Sequence, residues 1–433
     1  MAADVRTGDP AEELTIVAAS SGSPPSAIAI IRVSGPRAFR VGETLCGTLP
    51  PEREVRVRAV RDPATGELLD RALLLRFAAP TTATGEDIVE LHCHGSRSVV
   101  AGIEAAVAAI PGCRRAEPGE FTRRALLNGR IDLTQAEALG ELLQAETAAQ
   151  RRQALRGTEG TLGRAIAGWQ AVLIHQAALI EAALAFEDEE EVSGGEPFDR
   201  ALLDMVATEM ATMLASPPAE RLRDGIGVVL AGPPNAGKST LLNALAGRDV
   251  AIVSPLAGTT RDRIEAPVQR HGLPFVLTDT AGLRETTEAV EALGIARARE
   301  ALSSADIIVW LGDDRPPVDA IWIEARCDAP GRSTTSRLRV SAVTGEGMEK
   351  LWGEMVAQAS ILLPPSDHQL LNARQRALLS DAYQALVEVA SDDDLVLTAE
   401  RLRVALRRFD AITGRGGVED IVDELFATFC LGK

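Results

Sequence analysis

Apolar and polar positions change period several times along this chain, and each change predicts a different kind of element. From Leu14 to about Leu126 the runs are short and strand-like, at Ala27 to Val33 (AIAIIRV), Ala72 to Phe77 (ALLLRF) and Asp87 to His94 (DIVELHCH). They predict an α+β domain. From about Ile131 to Phe186 apolar residues recur at helical spacing, at Leu139, Leu142 and Leu143 and again at Leu173, Ile174, Ala177, Leu179 and Ile180, with no proline. Long helices are expected there, closed by the acidic stretch FEDEEEVSGGEPF, which reads as a solvated loop. From Ile226 to about Met355 strand-like and helix-like segments alternate, the pattern of a parallel sheet with crossover helices. Its strands are expected at IGVVLAG, FVLTDTA, DIIVWLGD, AIWIEA and RLRVSA. Helical spacing returns from about Asn372 to Lys433, carried by Leu378, Leu379, Tyr383 and Leu386 and by Leu402, Ala405, Leu406 and Phe409.

These shifts predict an α+β domain over residues 1–127, a helical bundle in two parts, 128–222 and 361–433, and an α/β domain over 223–360 inserted between those parts. A length of 433 residues is enough for two to four domains, each with its own core. Composition alters this picture little: 46% apolar and 25% charged residues are ordinary for a soluble chain, and no run approaches the roughly 20 apolar residues that span a bilayer. The start, MAADVRTGDPAEELT, lacks the basic and apolar stretches of a secretory signal, so a cytoplasmic protein with no membrane contact is expected. Cys46, Cys93, Cys113, Cys327 and Cys430 show no CxxC spacing and read as reduced thiols. A net charge of -17 repels phosphate backbones, so any nucleic-acid contact must use a local basic patch or a partner.

Chemistry enters where the third segment meets its first strand. GPPNAGKS, Gly232 to Ser239, satisfies G-x-x-x-x-G-K-[ST] between a strand-like run and a helix-like one. Glycines let the backbone wrap a phosphate, amide N–H groups and the helix N-terminus point at it, Lys238 reaches the terminal phosphates, and Ser239 can ligate magnesium. Lys238 is also one of only three lysines among 45 basic residues, with Lys350 and Lys433. AGTTRD offers Thr260 as a second magnesium ligand, and DTAG offers Asp279 to hold the ion through water and the Gly282 N–H for the γ-phosphate. This ordered set defines a switch GTPase. Leu283 follows DTAG, so the water-orienting glutamine of signalling GTPases is absent and hydrolysis needs another device.

The base-reading segment is degenerate. ARCD, Ala325 to Asp328, keeps the aspartate whose two oxygens match the N1–H and 2-amino donors of guanine. Arg326 replaces the usual lysine and Ala325 the usual asparagine, a loss worth on the order of 1 kcal/mol, or roughly five- to tenfold in affinity. Weaker GTP binding with specificity retained is expected, with SAVTGEG, Ser341 to Gly347, as the second base-binding loop.

With these motifs assembled, the chain resembles the bacterial and organellar tRNA-modification GTPases of the MnmE/TrmE family, which act at the wobble uridine. IIRVSG, TGEDIVELHCHG, PGEFTRRALLNGRIDLTQAEAL, GPPNAGKS, AIVSPLAGTTRD, DTAGLRET and the terminal FCLGK carry the resemblance over essentially the whole chain. It implies a potassium ion held by Asn235, Ser254, Leu256 and Thr259, with Glu291 positioning the attacking water beside the catalytic Lys238 and Thr260. The GTP contacts so expected are Asn235, Ala236, Gly237, Lys238, Ser239 and Thr240; Ser254, Pro255, Leu256, Ala257, Gly258, Thr259 and Thr260; Asp279, Thr280, Ala281 and Gly282; and Asp328, Ser341, Ala342 and Val343.

For the first domain the resemblance implies a folate-binding fold that takes a reduced folate, 5,10-methylene- or 5-formyl-tetrahydrofolate, through Arg32, Glu90, Arg130 and the terminal Lys433. A carboxylate suits a pterin because its two oxygens accept the paired N3–H and 2-amino donors. Arg130 stands where the family more often has lysine. It further implies a homodimer through the N-terminal domains, a flavoprotein partner of the MnmG type that carries FAD in a heterotetramer, and tRNA engaged mostly through that complex. His92 and His94 share a strand face that Cys93 does not, which disfavours a metal site, and Cys430 reads as a packing residue rather than a nucleophile. A ribosome-assembly GTPase and a purely regulatory nucleotide-binding protein are the rival readings.

Overall fold

Two six-stranded sheets organise the computed structural model among the residues it describes, which are 14–185, 198–248, 265–279, 305–329, 337–363, 370–389, 394–415 and 432. The chain divides into two units, residues 1–137 with 413–433, and residues 138–412. All eight strands expected from the hydrophobic pattern form, and four more join them.

In the first unit the sheet consists of β1 (Thr15–Ala19), β2 (Ser26–Ser34), β3 (Arg56–Arg61), β4 (Leu68–Phe77), β5 (Ile88–Gly95) and β6 (Cys113–Arg115), in the order β3-β4-β5-β2-β1-β6. Only the β1–β6 pair is parallel. Alternation explains one face: Ala29, Ile31 and Val33 of β2 and Val89, Leu91 and Cys93 of β5 are buried with Val41 and Leu45 of α1 (Ala38–Cys46) and Ile103 and Val107 of α2 (Arg97–Ala108). Helix α2 starts cleanly because the Ser96 hydroxyl accepts from the Val99 N–H at 3.2 Å. On the opposite face, α3 (Glu120–Leu127) covers only the β1 end, where Phe121 packs with Ile16 and Ala18. β1 is therefore covered on both sides, and its sequence TIVAA shows no alternation. The remainder of that face carries Ile28, 61% exposed, with Arg32, Glu90 and His92.

The second unit holds two cores. Helix α4 (Leu133–Gln144) begins within the first unit; with α5 (Ala148–Thr158) and α6 (Thr161–Ala185) it occupies the stretch expected to be helical, and α7 (Arg200–Leu214) follows. Leu162, Ile166, Trp169 and Leu173 of α6 and Val206 and Met210 of α7 form one apolar cluster with Leu379, Leu386, Leu402 and Phe409 from the C-terminal stretch. Trp169 and Phe409 meet at 5.8 Å, and buried Gln170 donates to Asp410 at 2.8 Å.

After the short α8 (Glu220–Arg223), β7 (Ile226–Ala231), α9 (Lys238–Arg248), β8 (Glu265–Arg270), β9 (Leu273–Asp279), β10 (Ile307–Trp310), β11 (Ile321–Ala325), β12 (Leu338–Val340) and α10 (Met348–Leu362) build the second core. Its sheet order is β12-β11-β10-β7-β9-β8, parallel except for β8 at the edge. Near-continuous apolar burial in β7 is what a parallel sheet demands. α11 (Ala373–Val389) and α12 (Leu395–Thr413) then return to the helical cluster.

Candidate nucleotide site

The strand order reverses around β7, whose neighbours are β9 on one side and β10 on the other. In open parallel sheets this reversal opens a crevice at the carboxyl ends of the strands. The glycine-rich turn follows β7, Asp279 ends β9, ARCD follows β11 and SAVTGEG follows β12, so four motifs far apart in sequence meet along one sheet edge. Three of them, all but Asp279, line a cavity of about 560 Å³ formed by Asn235, Gly237, Lys238, Ser239, Thr240 and Leu241 and by Ala325, Arg326, Asp328, Ala329, Val340, Ala342 and Val343.

The turn has the backbone a phosphate cradle requires. Gly232, Asn235 and Gly237 have φ of 150°, 61° and 96°, the left-handed side that bends successive N–H groups inward. Lys238 is buried, and its Nζ donates to the carbonyls of Gly232 at 3.0 Å and Pro233 at 2.9 Å. The Ser239 hydroxyl donates to Asp279 Oδ2 at 2.5 Å, and Asp279 is only 2% exposed. Two oxygen donors this close, one of them a carboxylate, form the donor set a magnesium ion takes.

On the base side, Arg326 adopts φ of 55°, lays its stem against Gly237 and donates from Nη1 to the Asn235 carbonyl at 3.2 Å. Asp328 is exposed to the cavity, and the hydroxyl of buried Ser341 holds its carboxyl below the usual carboxylate range, ready to accept two donors. Ser341 is itself fixed by accepting from the Thr344 N–H at 3.1 Å and by its own N–H donating to Glu346 at 2.9 Å. Gly347 must be glycine: a Cβ there would lie 1.8 Å from the Arg339 carbonyl oxygen. The Arg326–Asn235 contact was not legible in sequence, because it joins two segments 91 residues apart.

Among the folate candidates, the structure brings Arg32 and Glu90 together as cross-strand neighbours of β2 and β5. Arg32 Nε donates to Glu90 Oε1 at 3.0 Å, Nη2 lies 2.9 Å from the same oxygen, and the guanidinium rests over the Phe121 ring. Arg130 makes a different set of contacts, donating to the Thr82 carbonyl at 3.1 Å. There it helps Asn128, which donates to the Thr84 carbonyl at 2.8 Å, pin the TGED loop at Gly85. Beneath this loop lies a buried network that sequence reasoning missed: Arg124 pairs with Glu86 and Glu120 at 3.0 Å each, and Ser34 donates to Glu86 at 2.7 Å. Burial pushes the Glu120 carboxyl up, but hydrogen bonds from Arg114 and the pull of Arg124 outweigh it and leave the group below its usual range.

Cys93 faces the core as alternation required, while His92 and His94 lie on the other side. Gly432 packs against the Ala19 carbonyl with φ of 89°. Ser254, Pro255, Leu256, Ala257, Gly258, Thr259, Thr260, Thr280, Ala281, Gly282, Glu291, Cys430 and Lys433 lie outside the described residues.

A glycine-rich phosphate turn, a serine–aspartate pair for magnesium and an aspartate facing the base cavity define the nucleotide-binding domain of a P-loop GTPase. The family model described as GTP-binding protein TrmE N-terminus matches residues 15–130, and that described as MnmE helical domain matches residues 133–430. The tRNA modification GTPase MnmE of Rhizorhabdus wittichii is 51% identical over 424 residues, covering 97% of this chain and 96% of that protein. That of Erythrobacter litoralis is 49% identical over 423 residues, covering 97% of this chain and 100% of that protein. The chain belongs to the tRNA modification GTPase MnmE family.

Proposed function

We propose that this chain is a cytoplasmic GTP hydrolase whose nucleotide cycle drives modification of the wobble uridine of tRNA. The observation that carries the reading is the convergence of Lys238, Ser239, Asp279 and Asp328 on one sheet edge in a chain related over nearly its full length to tRNA modification GTPases. Lys238 and the N-terminus of α9 bind the phosphates; Ser239 and Asp279, with Thr260, hold magnesium; Asp328 and the Ser341 loop select guanine.

Asn235 lines the cavity beside Lys238 and offers the amide oxygen a hard monovalent cation takes. With Ser254, Leu256 and Thr259 it would hold potassium, which supplies positive charge where negative charge develops on the phosphates. Glu291 orients the attacking water. The α/β domain is read as an insertion between the two helical stretches, which share one apolar cluster.

In the first domain, which we read as folate-binding-like, Arg32, Glu90, Arg130 and Lys433 take a reduced folate that provides the one-carbon unit for an aminomethyl-type group at C5. Glu90 suits this role as a carboxylate on a partly open sheet face. The working assembly is a homodimer joined to an FAD-bearing flavoprotein partner, with tRNA held mostly by that complex.

Mass spectrometry of tRNA from a deletion strain tests the reading. Loss of the wobble modification, restored by the wild-type chain and not by Lys238→Ala, is expected; intact modification in the deletion strain overturns it. Turnover in equal concentrations of potassium and sodium chloride tests the cation, and equal rates remove potassium from the mechanism.

A further inference from the structure

Glu90 is held from both sides. While Oε1 receives Arg32, Oε2 lies 3.2 Å from Nε2 of His92, two residues along the same strand. An ionised carboxylate only accepts, so Nε2 carries the proton that makes this bond. Side chains at i and i+2 of a strand share a face, and the register sets Ile30 opposite His92 on β2 and Leu73 opposite it on β4. Leu75 stands opposite Glu90 on β4. Among the described residues of these strands the charged groups at this point are Arg32 from β2 and Glu90 from β5, with none from β4; one rung further along stand Arg71 and the His94–Asp70 pair, bonded at 2.8 Å.

We infer that His92 is the positioning residue for the pterin-reading carboxylate of Glu90. The inference rests on the folate reading above. A carboxylate has about four acceptor positions. Oε1 faces two nitrogens of Arg32 and Oε2 one of His92. The paired donor edge of a pterin calls on both oxygens at once, so the ligand needs the carboxylate plane held where both can face it.

The hydrogen bond from His92 Nε2 holds the carboxylate plane and leaves Oε2 a further acceptor position. Losing that bond corresponds to about tenfold in affinity.

The experiment measures binding of 5-formyltetrahydrofolate to the full chain by calorimetry for wild type, His92→Gln, His92→Leu and Glu90→Gln. His92→Gln keeps an N–H donor, so it should match wild type. His92→Leu should bind about tenfold more weakly. Wild-type affinity in His92→Leu, or a loss in His92→Gln equal to that in His92→Leu, overturns the inference while loss of binding in Glu90→Gln leaves the folate reading standing. Absence of saturable binding by wild type overturns both.

Discussion

The nucleotide cavity and the Arg32–Glu90 pair, where we propose that folate binds, are built by opposite means. Backbone supplies most of the first: left-handed turns at Asn235 and Gly237, the N-terminus of α9, and loops set by Gly347 and Ser341. Side chains supply the second, standing at cross-strand positions of a sheet face. A backbone-built site tolerates changes of side chain wherever the loop path survives, which is how Ala325 and Arg326 can replace two signature residues while Asp328 keeps its place. A side-chain-built site depends on each partner of an ion pair and on the charges that support it.

The largest effect expected from this contrast is at Arg124. Its side chain is 6% exposed and joins Glu86 and Glu120, so Arg124→Met strands buried carboxylates and should destabilise the first unit by about 3–5 kcal/mol. Denaturant unfolding followed by folate binding checks it, with GTP turnover of the isolated chain expected to persist; equal loss of both would break the contrast. The same network carries a pH signature: the Glu120 carboxyl is depressed, so its contribution is present above the ordinary glutamate range and is lost as pH falls through its lowered value.

Lys238→Met comes next, with GTP turnover expected to fall about 10²–10³-fold, because a positive charge is removed from the phosphates and the loop path stays. Unchanged melting of the variant would sharpen the distinction. For Asp328→Asn, competition binding should show GTP weakened by about 10²-fold and xanthosine triphosphate improved, since an amide both donates and accepts where the carboxylate only accepts. Retention of full GTP affinity would mean that Asp328 does not read the base. The smallest effect concerns thiols: burial pushes Cys46 up to about 12 and Cys93 up to about 11, so neither should be alkylated appreciably at pH 8 in the folded chain, as peptide mass spectrometry can check.

The two sites also differ in how far they could be seen in the linear chain. GPPNAGKS is contiguous because a turn wrapping a phosphate uses successive amides, so its geometry is written in neighbouring residues. Nothing local announces that Glu120, Arg124 and Glu86 form one network or that Arg326 reaches Asn235; those depend on segments that only the fold makes adjacent. β1 and β6 escaped the pattern for physical reasons, the first being covered on both faces and the second only three residues long. β3 and β8 escaped although they are edge strands, the latter carrying a proline that weakens any strand signal.

By itself, then, the order of residues determined the period of each segment, the phosphate turn and the family, and it singled out Asp328 as the proposed reader of guanine, because these depend on spacing along neighbouring residues. Only the tertiary structure decided that Arg32 faces Glu90 while Arg130 grips the Thr82 loop, and that His92 completes the carboxylate's surroundings. The physical reason is register: a strand shows which residues share a face, but which partner stands opposite is settled by pairing across the sheet.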